Sequence, residues 1–201
     1  MLLGNKKPKV INPKQLNNFM YIPAIILLDL DIVHQSNLPP IMSKILINQY
    51  YQNLDRTLQF GKSRNEQSIR NHFWHLLNDY ARKSNYEVVP EVAVMGTHGK
   101  KVYPDGTVKN LWGLDIGLWE SKDEKDDIEA EIDAKIKKGY PLTNILFEDS
   151  NLAVLFQRGE EIGRAKMRDA DQLHDLLTSF INFKSETVYK FEEAIEKFKA
   201  D

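Results

Sequence analysis

Apolar residues recur at intervals of three and four across residues 41–60 (Ile41, Ile45, Leu46, Tyr50, Leu54, Leu58), the spacing of one helix face, and Gly61 is placed to close that helix. Ser63-Arg64-Asn65-Glu66 then has the S-x-x-E form of a capping box, and Ile69, Phe73, Leu76, Leu77 and Tyr80 carry a second helix to about Lys83. Glu66 precedes Ile69 by three, at the start of the apolar face, so its carboxylate is a candidate to point inward. The period then shortens. Residues 86–95, with Val88, Val92 and Val94, predict a strand that ends in a turn at 96–101, and Val102-Tyr103 begins the next. Residues 111–119 predict a third strand, with bulges or close approaches expected at Gly113 and Gly117. The three together read as an antiparallel meander.

Further along, Ile128, Ile132 and Ile136 lie four apart in a stretch (124–138) that is acidic early and lysine-rich late, which suits a helix dipole, and Gly139 supplies the stop. Its charges read as a solvated face. Residues 144–147 and 152–157 are two more strands around the turn sequence Glu148-Asp149-Ser150-Asn151. Residues 172–183 and 187–199 have the periodicity of two amphipathic helices, and the last runs out without a cap, as expected of a chain cut from something longer or of one that docks against a partner. The expected organisation is an N-terminal extension (1–40) and one domain (41–201). Its fold class is α/β: a mixed sheet that starts antiparallel, flanked by helices.

Composition narrows the chemistry. The chain has 201 residues, 42% hydrophobic and 28% charged, with no cysteine and a net charge of −2. Disulfides, thiolate nucleophiles and cysteine-bound metals are therefore excluded, and contact with nucleic acid has to come from a local patch. Residues 19–33 are apolar but interrupted by Pro23, Asp29 and Asp31, too short for a membrane span and without a signal-peptide layout, so a soluble cytoplasmic protein is expected.

The chemistry centres on residues 103–123, YPDGTVKNLWGLDIGLWESKD. Glu120 and Lys122 are two apart on a strand and share a face, which sets a carboxylate beside an ammonium, while Ser121 faces the other way. Asp115 is about 16 Å from Glu120 along an extended strand and, at an odd separation, on the opposite face. Asp105 lies fifteen positions before Glu120, a length over which a hairpin brings its two ends together. It is the favoured partner, with Asp115 retained as the alternative should the glycines bulge the strand. His72, His75 and His98 read as core-edge or solvated residues. Arg158, Arg164, Lys166 and Arg168 form the densest basic cluster and are candidates for phosphate contact.

The order Ser-x-x-Glu, Pro-Asp-Gly-Thr, Gly-Leu-Trp-Glu-Ser-Lys-Asp, Gly-Tyr-Pro-x-x-Asn-Ile-Leu-Phe-Glu-Asp-Ser and Val-Leu-Phe-Gln resembles the N-terminal nuclease domain of single-polypeptide Type I-like (Type ISP) restriction–modification enzymes. Those belong to the PD-(D/E)xK superfamily, and the resemblance covers about residues 45–201. It implies a Mg²⁺-dependent endonuclease acting on double-stranded DNA, with Mn²⁺ as a substitute. Asp105, Glu120 and the Ser121 backbone carbonyl would hold the metal, and Lys122 would orient water or stabilise the phosphate. Glu66 would approach from the first core helix and Gln157 from a neighbouring strand. It also implies helicase and methyltransferase domains, users of ATP and S-adenosylmethionine, outside this chain, which has no P-loop and no methyltransferase glycine loop. The alternative is a non-catalytic module of the same fold that docks a partner through its C-terminal helices. A two-carboxylate glycosidase is disfavoured by the lysine beside Glu120.

Overall fold

The computed structural model describes residues 40–61 and 66–200, the side chains of 40–43, 61, 66 and 200 excepted. The extension before residue 40, the Ser63 capping box and the Glu66 side chain lie outside the described residues.

Two helices open the fold, α1 (Pro40–Gly61) and α2 (Glu66–Lys83). Pro40 tolerates the first helical position because its missing N–H would have no partner there. Four short strands follow: β1 (Glu87–Pro90), β2 (Val94–Met95), β3 (Lys101–Val102) and β4 (Gly106–Lys109). The sequence pattern merges the first two into one strand, but the chain breaks after Pro90, with Glu91 at φ 53°, and β2 and β3 pair as a separate two-stranded ribbon. Asn110 sets the start of the next strand later than the apolar pattern suggests. Its side chain accepts from the amides of Trp112 (3.1 Å) and Leu114 (2.9 Å), and Gly113 takes φ 76°, so 110–114 is a turn and β5 runs Asp115–Ser121.

Helix α3 (Ile128–Lys138) stops at Gly139 as its sequence predicts, but it begins later than the charged stretch from residue 124, at an N-cap on Asp127. Asp127 accepts from the Glu129 amide at 3.0 Å, and Gly139, at φ 92°, donates its N–H to Ile136. Asp127→Ala is expected to cost about 1 kcal/mol, measured by urea denaturation. Strands β6 (Asn144–Glu148) and β7 (Leu152–Gln157) form a hairpin whose turn is closed by Asp149, accepting from Asn151 and Leu152. An eighth strand, β8 (Glu160–Lys166), has no counterpart in the sequence pattern, because on this sheet edge only Ala165 is buried. The chain ends in α4 (Ala170–Asn182) and α5 (Glu186–Ala200).

The main sheet has the order β1-β4-β5-β6-β7-β8, antiparallel throughout except between β5 and β6, which α3 connects as a parallel crossover. One face carries Ile47, Phe73, Leu77, Trp119, Leu173 and Phe180 under α1, α2 and α4. The other carries Leu118, Ile145, Phe147 and Val154 under Ile128 and Ile132 of α3 and the small ribbon. No helix among the described residues is long and apolar enough to cross a membrane.

Gly117 fits a close approach, as its sequence position suggests. A Cβ there would stand 2.6 Å from both Asn144 Nδ2 and Phe180 Cε2, and Asn144 is committed to the carbonyls of Ile116 (3.0 Å) and Phe180 (2.9 Å). Gly117→Ala is expected to destabilise by about 2 kcal/mol through overpacking, read as a lower urea midpoint at unchanged slope.

Candidate active site

The β4–β5 hairpin brings residues far apart in sequence to one place. Its register sets Gly106 opposite Trp119, so Asp105, one residue before β4, arrives beside the end of β5. Asp105 Oδ2 accepts from the Ser121 amide at 2.9 Å and Oδ1 from Arg70 Nη1 of α2 at 2.6 Å. The carboxylate is thus oriented by a backbone N–H and a guanidinium, both charge-assisted contacts.

Glu120 is 3% exposed, on the α3 face of the sheet. Burial pushes its carboxyl above the ordinary carboxylate range and the Asp105 charge adds to this, while the Lys135 hydrogen bond and the Lys135 and Lys122 charges pull it back. Lys135 of α3 pairs with Oε1, and Oε2 is buried without a hydrogen-bond partner. Lys122 Nζ lies 3.8 Å from Glu120 but closer, 3.1 Å, to Glu131 of α3. Its amide donates to the Glu148 carbonyl at 2.7 Å, which extends the β5–β6 pairing by one residue and holds the lysine backbone in line. Tyr140 completes the wall. Its hydroxyl donates to the Tyr103 carbonyl at 2.8 Å and accepts from Lys135 at 3.3 Å, and burial, followed by the Glu120 charge, pushes it up to about 12, so it stays protonated.

Behind the site, on the other face, Glu148 is 1% exposed. Burial raises its carboxyl to about 7 against the pull of Ser121, the Ser150 amide and Trp119. The Ser150 N–H reaches Oε2 at 3.2 Å, whereas Oε1 and the indole Nε1 of Trp119 are both buried outside hydrogen-bonding geometry.

Asp115 sits at the far end of β5, paired with Lys109 and half exposed. The face-parity argument against it does not hold, because a bulge at Ile116 slips the register by one: Val108 opposes Gly117, Lys109 opposes Asp115, and Ile116 and Trp119 share a core although three apart. Distance along the strand is what separates Asp115 from Glu120.

Gln157 is also corrected in place. It lies on β7 opposite Asn144, at the other end of the sheet from Glu120, and its amide donates to Asn144 Oδ1 and the Ser179 carbonyl, both at 3.0 Å. Nor do the four basic residues form one surface. Arg158 lies over the Phe183 ring at the β7–β8 turn, Arg164 is committed to Glu129 and Glu161, and Arg168 pairs with Asp55 and covers Tyr51. Lys166 is exposed at the end of β8. Of the histidines, His72 bonds Thr57 at 2.7 Å and His75 stacks edge-on against Trp74.

The residues missed from sequence are Arg70, Glu131, Lys135 and Tyr140. Glu131 and Lys135 belong to the charged run read as a solvated helix face; in the structure they turn onto the Glu-Ser-Lys strand. Their spacing of four was visible, but the face they take is set by where Ile128 and Ile132 pack. Among the described residues no group of three or more His, Asp or Glu side chains is arranged to hold a metal.

A mixed sheet of this order, with helices on both faces and Pro-Asp beside Glu-x-Lys at the end of a central strand, is a restriction-endonuclease-like fold. Among solved structures, the chain is similar to one in the cryoEM structure of a DrdV–DNA complex, with a TM-score of 0.71 and 42% identity over 78% of this chain; it spans 16% of that chain. The type IIG restriction endonuclease BpuSI is 15% identical over 59% of this chain and 16% of its own at a TM-score of 0.35, which carries no weight for fold or site. No family model and no curated protein matches the sequence.

Proposed function

We propose that the chain is the cutting module of a restriction–modification system, a Mg²⁺-dependent endonuclease that hydrolyses phosphodiesters of double-stranded DNA, with Mn²⁺ as a working substitute. The observation that carries this is the meeting of Asp105 with Glu120 and Lys122 at the end of β5. Support for DNA as substrate comes from the 42% identity to a chain of a protein–DNA complex.

The donor set suits a hard divalent cation. Glu120 Oε2 is buried and unpartnered, and Mg²⁺ is commonly held by one or two carboxylates with water and phosphate completing its shell. Asp105, Glu120 and the Ser121 carbonyl would hold it. When bound it would supply an acidified water and charge stabilisation at the phosphate. Arg70 and the Ser121 amide fix Asp105; Lys122, 14% exposed, is poised to neutralise charge developing on a scissile phosphate. The Type ISP assignment, with helicase and methyltransferase domains acting alongside and using ATP and S-adenosylmethionine, belongs to the same proposal.

Calorimetric titration with Mn²⁺ tests it. Binding in the wild type, weakened at least about tenfold in Glu120→Gln through loss of a charged ligand, is expected. Absence of Mn²⁺ and Mg²⁺ binding would overturn the assignment. One observation favours a docking role as a second reading. Tyr189, Phe191 and Phe198 of α5 are exposed, Phe191 stacking edge-on against Trp112. A module that only docks gives no heat with Mn²⁺.

A further inference from the structure

Helix α3 offers the Glu-Ser-Lys strand one charge of each sign. Glu131 and Lys135 are four apart and so lie on one helix face. Glu131 takes Lys122 at 3.1 Å, and Lys135 takes Glu120. The counter-ion of Glu120 is therefore the lysine of the helix, since Lys122 stands farther off at 3.8 Å.

A buried carboxylate requires a positive charge beside it, and Glu120 is 3% exposed. A divalent cation bound by Glu120 and Asp105 would meet that requirement itself and would repel an ammonium on the same carboxylate. Lys135 already touches a second partner while it pairs with Glu120. Its Nζ is 4.7 Å from the centroid of the Tyr140 ring and 3.3 Å from the Tyr140 hydroxyl, a face and an acceptor that hold a cation without Glu120.

We propose that Lys135 is the counter-ion that Glu120 keeps when no divalent cation is bound, and that it withdraws onto Tyr140 when one binds, so that this lysine sets the metal affinity of the site. The proposal rests on the nuclease reading of Asp105 and Glu120. Lys135 is a positioning residue in this scheme: it acts through Glu120.

The test is Mn²⁺ titration calorimetry at pH 8 on the full chain, with melting curves in EDTA and in Mn²⁺. Lys135→Met is expected to bind Mn²⁺ on the order of tenfold tighter than wild type, because removing the competing charge removes a cost of metal entry. Its metal-free melting temperature falls, since Glu120 loses its partner, and saturating Mn²⁺ restores it. Lys135→Gln keeps a neutral donor at the position, shows the same direction, and serves if the methionine variant does not fold. Lys138→Met, on an exposed part of the same helix, removes one charge away from the site and is expected to match wild type. Mn²⁺ affinity equal to or weaker than wild type in both Lys135 variants, with wild type binding normally, would overturn the proposal and leave the nuclease reading standing. No Mn²⁺ binding in wild type or in either Lys135 variant would overturn both.

Discussion

Replacing Lys122 by alanine is expected to reduce metal-dependent plasmid cleavage by roughly two to three orders of magnitude, the effect of removing one preorganised positive group from a developing oxyanion. The geometry says why the loss is chemical. Lys122 is 14% exposed, its backbone is held by the Glu148 carbonyl at 2.7 Å, and its ammonium lies between Glu120 and Glu131. Neither Asp105 nor the buried Oε2 of Glu120 depends on it for position, so Mn²⁺ binding should persist in the variant. The fold should persist too, because Glu131, left without Lys122, is about one-third exposed and remains solvated. The measurement is the initial rate of supercoiled plasmid loss under saturating Mg²⁺ or Mn²⁺, paired with calorimetry on the same preparation. Cleavage at the wild-type rate in Lys122→Ala would remove this lysine from the chemistry.

The second large effect concerns stability and pH. Burial raises the Glu148 carboxyl from 4.5 to about 7 in the folded chain. A carboxyl whose folded value lies above its unfolded one favours the folded state while it is protonated. That contribution is fully present below about 4.5 and is lost as pH rises through about 7. Glutamine imitates the protonated form and keeps an acceptor for the Ser150 amide. Glu148→Gln is therefore expected to match wild type near pH 4.5 and to be more stable by about 3 kcal/mol at pH 8 to 9, from the size of the shift at 1.36 kcal/mol per pKa unit. Urea denaturation in EDTA across that range gives the two curves. Curves that run parallel at every pH would show that Glu148 is not a buried acid of raised proton affinity. Because Glu148 also supplies the carbonyl that holds the Lys122 amide, and a backbone contact survives the substitution, cleavage at neutral pH is the natural companion measurement.

Where periodicity was strong, the elements follow it: the 41–60 pattern falls in α1, although Ile45 is half exposed and the buried Ile47 lies outside the expected face, the isoleucine stripe falls in α3, and the Leu173-to-Ile181 stripe falls in α4, every member of it buried. Where the pattern was weak, the backbone chose otherwise. β8 is an edge strand with polar residues on both sides, so no alternation marked it. The turn at 110–114 replaced the beginning of an expected strand because one asparagine side chain accepts from two amides there. The pairing of Asp105 with the Glu120 strand was legible from hairpin length, and the register bears on it directly. Gln157 was expected near the site on the strength of the family resemblance, but antiparallel pairing with β6 carries the end of β7 to the opposite end of the sheet.

By itself the sequence determined the α/β class, the strongly periodic helices as elements, and a Pro-Asp and Glu-Ser-Lys pair at hairpin spacing, because these depend on local periodicity and chain length. Tertiary structure decided which charges meet. Arg70 reaches Asp105 from α2, Lys135 reaches Glu120 from α3, and Arg164 is taken by Glu129 and Glu161 and so is withdrawn from a shared basic surface. Ion pairs between elements depend on which helix face packs inward and on where a bulge slips a strand, and both are settled only when the apolar faces close on the sheet.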